Sequence, residues 1–267
     1  MPFFTDQTGR ALDLPSKPQR IVSVVPSQTE LLSDLGLNDE VIGITKFCIH
    51  PSEWFHNKFR VGGTKKLNHD AIDSLHPDLI IANKEENTKE DIERLSCRYP
   101  VWISDIQNLT DAYEMIQAIG LITHTINKAD EIIANIKQEF RSLVKDEAAL
   151  HKKAAYLIWQ DPYMTVGSDT FIHSMMELAG FENIFSVKSR YPEITIDEIR
   201  NSGCEILLLS SEPFPFKQKH IDELQPAMPT TKIILVDGEM FSWYGSRLLY
   251  APSYFRQLQN DLALRHR

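Results

Sequence analysis

The sequence predicts an α/β protein built from two similar lobes with a single long helix between them. Three observations carry this. Short β-branched runs alternate with helical patterns along most of the chain, the signature of parallel sheets with crossover helices. One segment in the middle breaks that rhythm with a long uninterrupted helical pattern. And the stretches on either side of it repeat one another at a fixed offset.

In chain order, Ile21 to Val25 reads as a buried strand, followed by Val41 to Thr45, Leu79 to Ala82 and Val101 to Ile103. The second half offers Ala154 to Trp159, Ile206 to Leu209 and Ile233 to Val236. From Asn127 to about Leu150 there is no Gly, Pro or strand pattern. Its apolar residues Ala129, Ile132, Ile133, Ile136, Phe140 and Leu143 fall on one helical face. A helix of ~22 residues spans roughly 33 Å, more than a crossover requires. The expected organisation is an N-terminal lobe over 1–124, a connecting helix over 125–150 and a C-terminal lobe over 151–267.

Asp70 and Asp197 are 127 positions apart, and Ile72/Ile199, Asp78/Glu205, Ile80/Leu207 and Glu85/Glu212 keep that offset. Val101 to Asp105 resembles Ile233 to Asp237 at an offset of 132, which a five-residue insertion explains. Matched order in both halves favours two similar lobes.

Composition removes several function classes. With 28 basic against 37 acidic residues the net charge is −9, so nucleic acid is not the expected partner, since phosphate neutralisation needs a basic face. Cys48, Cys97 and Cys204 are far apart and form neither a disulfide framework nor a zinc pattern; three partly buried thiols are expected. No stretch approaches the ~20 apolar residues of a membrane span. The opening residues lack a basic region followed by an apolar run, so no secretory signal is expected in the sequence as it stands.

Few segments are suited to chemistry. Pro26 to Glu30 (PSQTE) directly follows the first strand, and Ser27 and Glu30 have capping-box spacing. Ligands of open α/β sheets sit beyond the carboxyl ends of strands, where free N–H groups at a helix start receive anions or carbonyls. Val166 to Phe171 looks like the second lobe's counterpart. Gly167 there permits close backbone approach, Ser168, Asp169 or Thr170 can cap a helix running to Leu178, and Gly180 ends it. Aromatics crowd Trp159 to Tyr163 and Phe241 to Arg247, which suits a flat ligand or a cleft wall, with Arg247 available to a carboxylate or phosphate. Cys48 and His50 are soft metal ligands in principle, but the histidines are scattered and no H-x-x-x-H or H-E-x-x-H motif occurs. There is no G-x-S-x-G elbow, P-loop or dinucleotide fingerprint. No enzymatic activity and no resident cofactor are expected.

Several segments together resemble the helical-backbone substrate-binding proteins of bacterial ABC importers, the receptors for cobalamin, haem and ferric siderophores. They are Thr5 to Arg10 (TDQTGR), Pro18 to Ser23 (PQRIVS), Pro26 to Glu30, Leu35 to Leu37 (LGL), Val61 to Thr64 (VGGT), Leu75 to Ile80 (LHPDLI) and Gly180 to Phe185 (GFENIF). The resemblance covers nearly the whole chain, with the cobalamin-binding members nearest, although Val61 to Thr64 lacks an aromatic that some of them carry nearby. It implies two Rossmann-like lobes joined by a rigid helix, with a metal chelate held between them: a corrinoid, haem or ferric siderophore.

Carried over by position, Ser27, Gln28, Thr29, Phe47, His50 and Thr64 would line the site from the first lobe. Tyr163, Gly167, Asp169, Thr170, Phe241, Trp243 and Arg247 would line it from the second. The resemblance also implies docking onto an ABC permease in the membrane through one acidic residue per lobe, drawn from Glu85, Glu86 and Glu90 on the first lobe and Glu212 on the second. It implies a monomer with a periplasmic or membrane-associated address; the sequence as it stands shows no signal peptide, so either a cytoplasmic address stays open or its start omits a leader. Two rival readings remain: a receptor for a bare divalent metal through His50 and other side chains, and a cytoplasmic chelate-handling protein or enzyme on the same scaffold.

Overall fold

A computed structural model describes residues 3–144 and 152–264. The chain divides into two compact units. The first comprises Met1–Ile106, Thr110–Ile136 and Tyr244–Arg247, the second Gln107–Leu109, Lys137–Trp243 and Leu248–Arg267.

The elements run β1 (Phe3–Thr5), β2 (Ala11–Asp13), β3 (Ile21–Ser23), α1 (Pro26–Asp34), β4 (Val41–Ile44), α2 (Ser52–Asn57), β5 (Phe59–Arg60), β6 (Gly62–Gly63), β7 (Lys66–Leu67), α3 (His69–Leu75), β8 (Leu79–Asn83), α4 (Lys89–Ser96), β9 (Val101–Ser104), α5 (Leu109–Ile122) and α6 (Ile126–Val144). They continue with β10 (Lys152–Leu157), α7 (Phe171–Leu178), β11 (Phe181–Asn183), α8 (Ile196–Asn201), β12 (Ile206–Ser210), α9 (Gln218–Leu224), β13 (Lys232–Val236), α10 (Glu239–Ser242) and α11 (Ala251–Leu264).

The first unit holds a parallel sheet of order β5-β4-β3-β8-β9, and the second a parallel sheet of order β11-β10-β12-β13. Apart from the short edge strand β5, the two orders are the same pattern, with β3 matching β10, β8 matching β12, β9 matching β13 and β4 matching β11. The 127-residue offset carries β8 onto β12 without a gap. In the first sheet Val22, Val24, Ile80, Ala82, Val101 and Ile103 share one buried face with Ile72 and Ile92, the period-2 pattern of strands. In the second, Ala155, Leu157, Leu207, Leu209 and Ile233 do the same with Ile199 and Leu224. Each such valine, leucine or isoleucine contributes about 1.5–3 kcal/mol on burial.

The repeat extends to polar detail. Asp78, just before β8, accepts Gln19 N and Arg20 N at 2.8 Å each, at the start of β3. Glu205, just before β12, accepts Lys153 N at 3.0 Å and the Lys152 ammonium at 2.8 Å, at the start of β10. Acidic residues at matched positions thus cap the free N–H groups of matched neighbouring strands.

Helix α6 has the expected apolar face: Ala129, Ile132, Ile133, Ile136, Phe140 and Leu143 are all buried. The division between the units falls within it, after Ile136. Its expected continuation toward Leu150, with the expected boundary at 150/151, lies outside the described residues, as do Met1 and Pro2.

Three local expectations are corrected. Ser27 does not cap α1: Val25 occupies the cap position with no side-chain bond, because Pro26, which has no N–H to donate, sits at the first helical position. Glu30 is therefore free to pair elsewhere. Cys97 is exposed, whereas Cys48 and Cys204 are buried. The first strand ends at Ser23 rather than Val25, although Val24 N still donates to Ile81 O at 3.0 Å.

Candidate functional site

All strands in each sheet point the same way, so the loops at their carboxyl ends gather on one edge of each unit. In the first unit, α1 starts directly after β3. Ser27, Gln28 and Thr29 lie in its first turn and are all buried. Thr29 Oγ1 is 2.7 Å from Ser23 Oγ, 2.9 Å from Val25 O and 3.1 Å from Cys48 Sγ. Burial pushes the Cys48 thiol up, so it stays protonated and acts as a packing group. Gln28 Nε2 donates to Ser104 Oγ, which also accepts Asn83 Nδ2 at 2.9 Å, while Gln28 Oε1 is left without a partner in a buried position. These three residues thus form the floor of the edge rather than its open surface.

The open surface belongs to the loop after β4. Phe47 and Ile49 are 51% and 44% exposed, unusual for large apolar side chains placed close together. His50 and Thr64 are half-buried. The β6–β7 hairpin abuts this loop: Lys46 N donates to Gly62 O at 2.8 Å, and a Cβ on Gly63 would lie 3.1 Å from the Phe47 ring. Asn87 Nδ2 ties the hairpin to the sheet through Thr64 O at 3.1 Å and Val24 O at 3.2 Å.

The segment Tyr244–Arg247 belongs to the first unit although it comes late in the chain. A Cβ on Gly245 would be 2.5 Å from Ser27 O, so only glycine lets this segment lie on the start of α1. Arg247 Nε donates to Glu30 Oε2 at 2.9 Å, and its Nη2 donates to Glu30 Oε1. Both side chains are nearly buried. Burial pushes the Glu30 carboxyl up, and the bond and charge of Arg247 oppose the shift. The Arg247 expected to meet a ligand anion thus already holds a carboxylate of its own unit.

In the second unit, Tyr163 and Asp169 are half-buried, while Gly167 and Thr170 are buried. Thr170 Oγ1 caps α7 by accepting His173 N at 3.3 Å. Gly167 does permit close approach, but of its own chain: a Cβ there would be 2.4 Å from Lys188 O. The two segments are stitched by Gly167 N to Arg190 O at 2.7 Å, Ser168 N to Lys188 O at 3.1 Å and Arg190 N to the Asp169 carboxylate.

The expected aromatic wall is only partly open. Phe241 is fully buried, its ring 4.8 Å from Phe255 and 5.2 Å from Tyr156, and Trp243 and Tyr244 are also buried. A four-residue helix, α10, turns Phe241 inward, which spacing alone did not reveal. Trp159, at the start of the other expected aromatic segment, is 41% exposed and lies edge-on to Phe214, which in turn meets Phe216 and His220, neighbours the sequence reading missed. Phe214 and Phe216 sit in a Pro-rich loop whose aromatics have no periodicity to announce them.

The glutamates occupy matching turns. Asn83, the last residue of β8, accepts Glu85 N at 2.8 Å and Glu86 N at 2.9 Å on its Oδ1. Ser210, the last residue of β12, accepts Glu212 N at 3.3 Å on its Oγ. Glu85, Glu86 and Glu212 are half-buried and Glu90 is exposed. Glu212 Oε1 accepts Ser242 Oγ at 2.6 Å and Trp243 Nε1 at 2.9 Å. Burial is the main cause of its raised carboxyl pKa, with Glu239 and Asp237 adding to it. Among the described residues no three His, Cys, Asp or Glu side chains converge as a metal site, and no helix is long and apolar enough to cross a membrane.

Two lobes of parallel sheet with repeated turns at their carboxyl edges place the chain in the class of two-lobed α/β proteins. Residues 21–237 match the periplasmic binding protein family, and the chain belongs to it. It is 26% identical over 203 residues to the uncharacterised ABC transporter substrate-binding lipoprotein YvrC of Bacillus subtilis, covering 73% of this chain and 64% of that protein, so it spans less than two thirds of that relative. It is 23% identical over 239 residues to the vitamin B12-binding protein of Pectobacterium carotovorum, covering 88% and 86% of the two chains. Among solved structures, the periplasmic vitamin B12 binding protein BtuF of Vibrio cholerae has a TM-score of 0.76 at 18% identity, covering 92% of this chain and 98% of that one. The haem-binding protein HutB of the same organism has a TM-score of 0.75 at 22% identity, covering 91% and 98%. The structural likenesses establish the fold. The relatives are substrate-binding transport proteins, which disfavours the bare-metal and enzyme readings.

Proposed function

We propose that this protein is the substrate-binding component of an ABC importer, that it captures a metal chelate (a corrinoid, haem or ferric siderophore) and that it delivers the chelate to a permease. The observation that carries the reading is the repeated carboxyl-edge architecture: two sheets of matched strand order whose matched turns place the backbone of Glu85 and Glu212 through Asn83 and Ser210. Of the expected ligand residues, the surface-accessible Phe47, His50, Thr64, Tyr163 and Asp169 are assigned to contact. Ser27, Gln28, Thr29, Gly167, Thr170, Trp243 and Arg247 are assigned to supporting the loops from below, and Phe241 to packing the core of the second unit. Glu85 and Glu212 are assigned to permease docking, with Glu86 and Glu90 beside the first. The family's description and the lipoprotein relative's name support a periplasmic or membrane-associated address.

Native mass spectrometry of the protein purified from its own host tests this. The expected result is a retained mass matching a corrinoid, haem or ferric siderophore. A retained bare divalent metal, or a small molecule chemically altered by the protein, would overturn it.

A further inference from the structure

Charge is distributed unevenly over the carboxyl edge of the first unit. The protein as a whole is strongly acidic, at net −9. Yet residues 45–50 and 61–67, the loop after β4 and the β6–β7 hairpin, contain Lys46, Lys65, Lys66 and His50 and no acid. Lys46, Lys65 and Lys66 are exposed. Elsewhere Lys17, Lys84, Lys152, Lys188, Arg98 and Arg247 each pair with a carboxylate. Among the described residues no carboxylate pairs with Lys46, Lys65 or Lys66. Lys65 donates only to a backbone oxygen, that of Glu85.

These charges border the apolar surface of Phe47 and Ile49. The Lys46 ammonium lies 5.0 Å from the Phe47 ring centroid, and Gly63 leaves room for both side chains. A cation held beside an exposed ring is set up to accept a group that is flat on one side and negative at its rim. The second unit, taken by itself, repeats the composition. Its topologically matching loop, after β11, runs from 184 to 192 without an acid. It holds Lys188 5.8 Å from the Phe185 ring and Arg190 5.6 Å from the Tyr191 ring, with Lys188 also paired to Glu198.

We propose that the loop after β4 and the β6–β7 hairpin form a receiving face for an anionic metal chelate with a flat conjugated surface, Phe47 and Ile49 taking the surface and Lys46, Lys65 and Lys66 the negative groups. This rests on the importer reading and narrows it to one charge class. A ferric catecholate and a tetrapyrrole bearing carboxylates share that chemistry. An uncharged hydroxamate chelate and an uncharged corrinoid do not.

The test is a fluorescence titration of the full chain with four probes: a ferric tris-catecholate, iron protoporphyrin IX, cyanocobalamin and an uncharged ferric trihydroxamate. Each is run at about 50 and about 500 mM sodium chloride, which alters screening of exposed charges. At least one anionic probe is expected to bind about tenfold or more tightly than both uncharged ones and to weaken in high salt; which of the two wins identifies the source of the charge. The Lys46→Gln, Lys65→Gln, Lys66→Gln triple variant is expected to lose about tenfold on that probe, with its melting temperature nearly unchanged because the three side chains are exposed. If an uncharged probe binds as tightly as the tighter of the two anionic ones, or the triple variant binds normally, this inference falls and the importer reading stands. If no chelate binds, the importer reading falls and takes the inference with it.

Discussion

Arg247 and Glu30, 217 positions apart, are joined by two parallel hydrogen bonds inside the first unit, with only about an eighth of either side chain exposed. Removing one partner of such a pair strands the other charge, which costs about 3–5 kcal/mol, whereas replacing both with apolar residues is far milder. Arg247→Ala should therefore lose several kcal/mol in urea unfolding, and Arg247→Met with Glu30→Leu should recover most of it. A loss below about 1 kcal/mol for Arg247→Ala would show that the pair is not buried in solution.

Glu212 bears on stability with the opposite sign. Its folded carboxyl pKa lies above the ordinary value, mainly through burial. A carboxyl raised in this way contributes stability that is fully present below its unfolded pKa and is lost as pH rises through the folded one. Glu212→Gln keeps an oxygen for Ser242 and Trp243 while removing the charge. Its urea midpoint should exceed that of the parent at neutral pH, and the advantage should fade as pH falls toward about 4.3, the ordinary glutamate value. If Glu212 docks the permease, the same variant should lose uptake while gaining stability. A less stable variant at neutral pH would refute the burial argument.

The strand-helix alternation and the 127-residue repeat were legible because both rest on apolar periodicity, which core packing enforces: Ile72, Ile199, Ile80 and Leu207 are all buried. The edge strands β5 and β11 were not, since two or three residues carry no period to detect. The site was less legible than the fold. Val25 displaced Ser27 from the cap because Pro26 preferred the first helical position. Gly167 meets the backbone at Lys188, a partner more than twenty residues away that no local pattern reveals. Phe241 and Phe47 look alike in sequence, yet one is fully buried and the other half exposed, because α10 turns the first toward Tyr156 and Phe255 while the second follows β4 into an open loop.

Asp78 and Glu205 offer a test of the repeat itself. Each caps strand-edge N–H groups in its own unit, and each is partly exposed. Charged hydrogen bonds in such positions are worth about 1 kcal/mol after solvent screening. Asp78→Ala and Glu205→Ala should each cost about that much, and the double variant should cost their sum, since sites without shared partners add. Cooperative loss in the double variant, read from denaturation curves, would mean the two positions are coupled and the repeat is not a pair of independent caps.

Phe47 and Phe241 should separate binding from folding. Phe241 touches Tyr156, Tyr254 and Phe255 in the core, so Phe241→Ala should cost about 3–5 kcal/mol through lost burial and the cavity left behind. Phe47 is half exposed, its ring lying 5.0 Å from the Lys46 ammonium and beside Gly63, where an added Cβ would come within 3.1 Å of it. Phe47→Ala should shift stability by no more than about 0.5 kcal/mol. It should nevertheless weaken the tightest-binding chelate of the four probes about tenfold, because stacking on an exposed ring is worth about 1 kcal/mol or more once the contact is desolvated. At sub-denaturing temperature Phe241→Ala should bind that chelate with nearly parental affinity for as long as it remains folded. The opposite pattern, with affinity lost in Phe241→Ala and kept in Phe47→Ala, would move the ligand away from the loop after β4 and onto the segment that begins at α10.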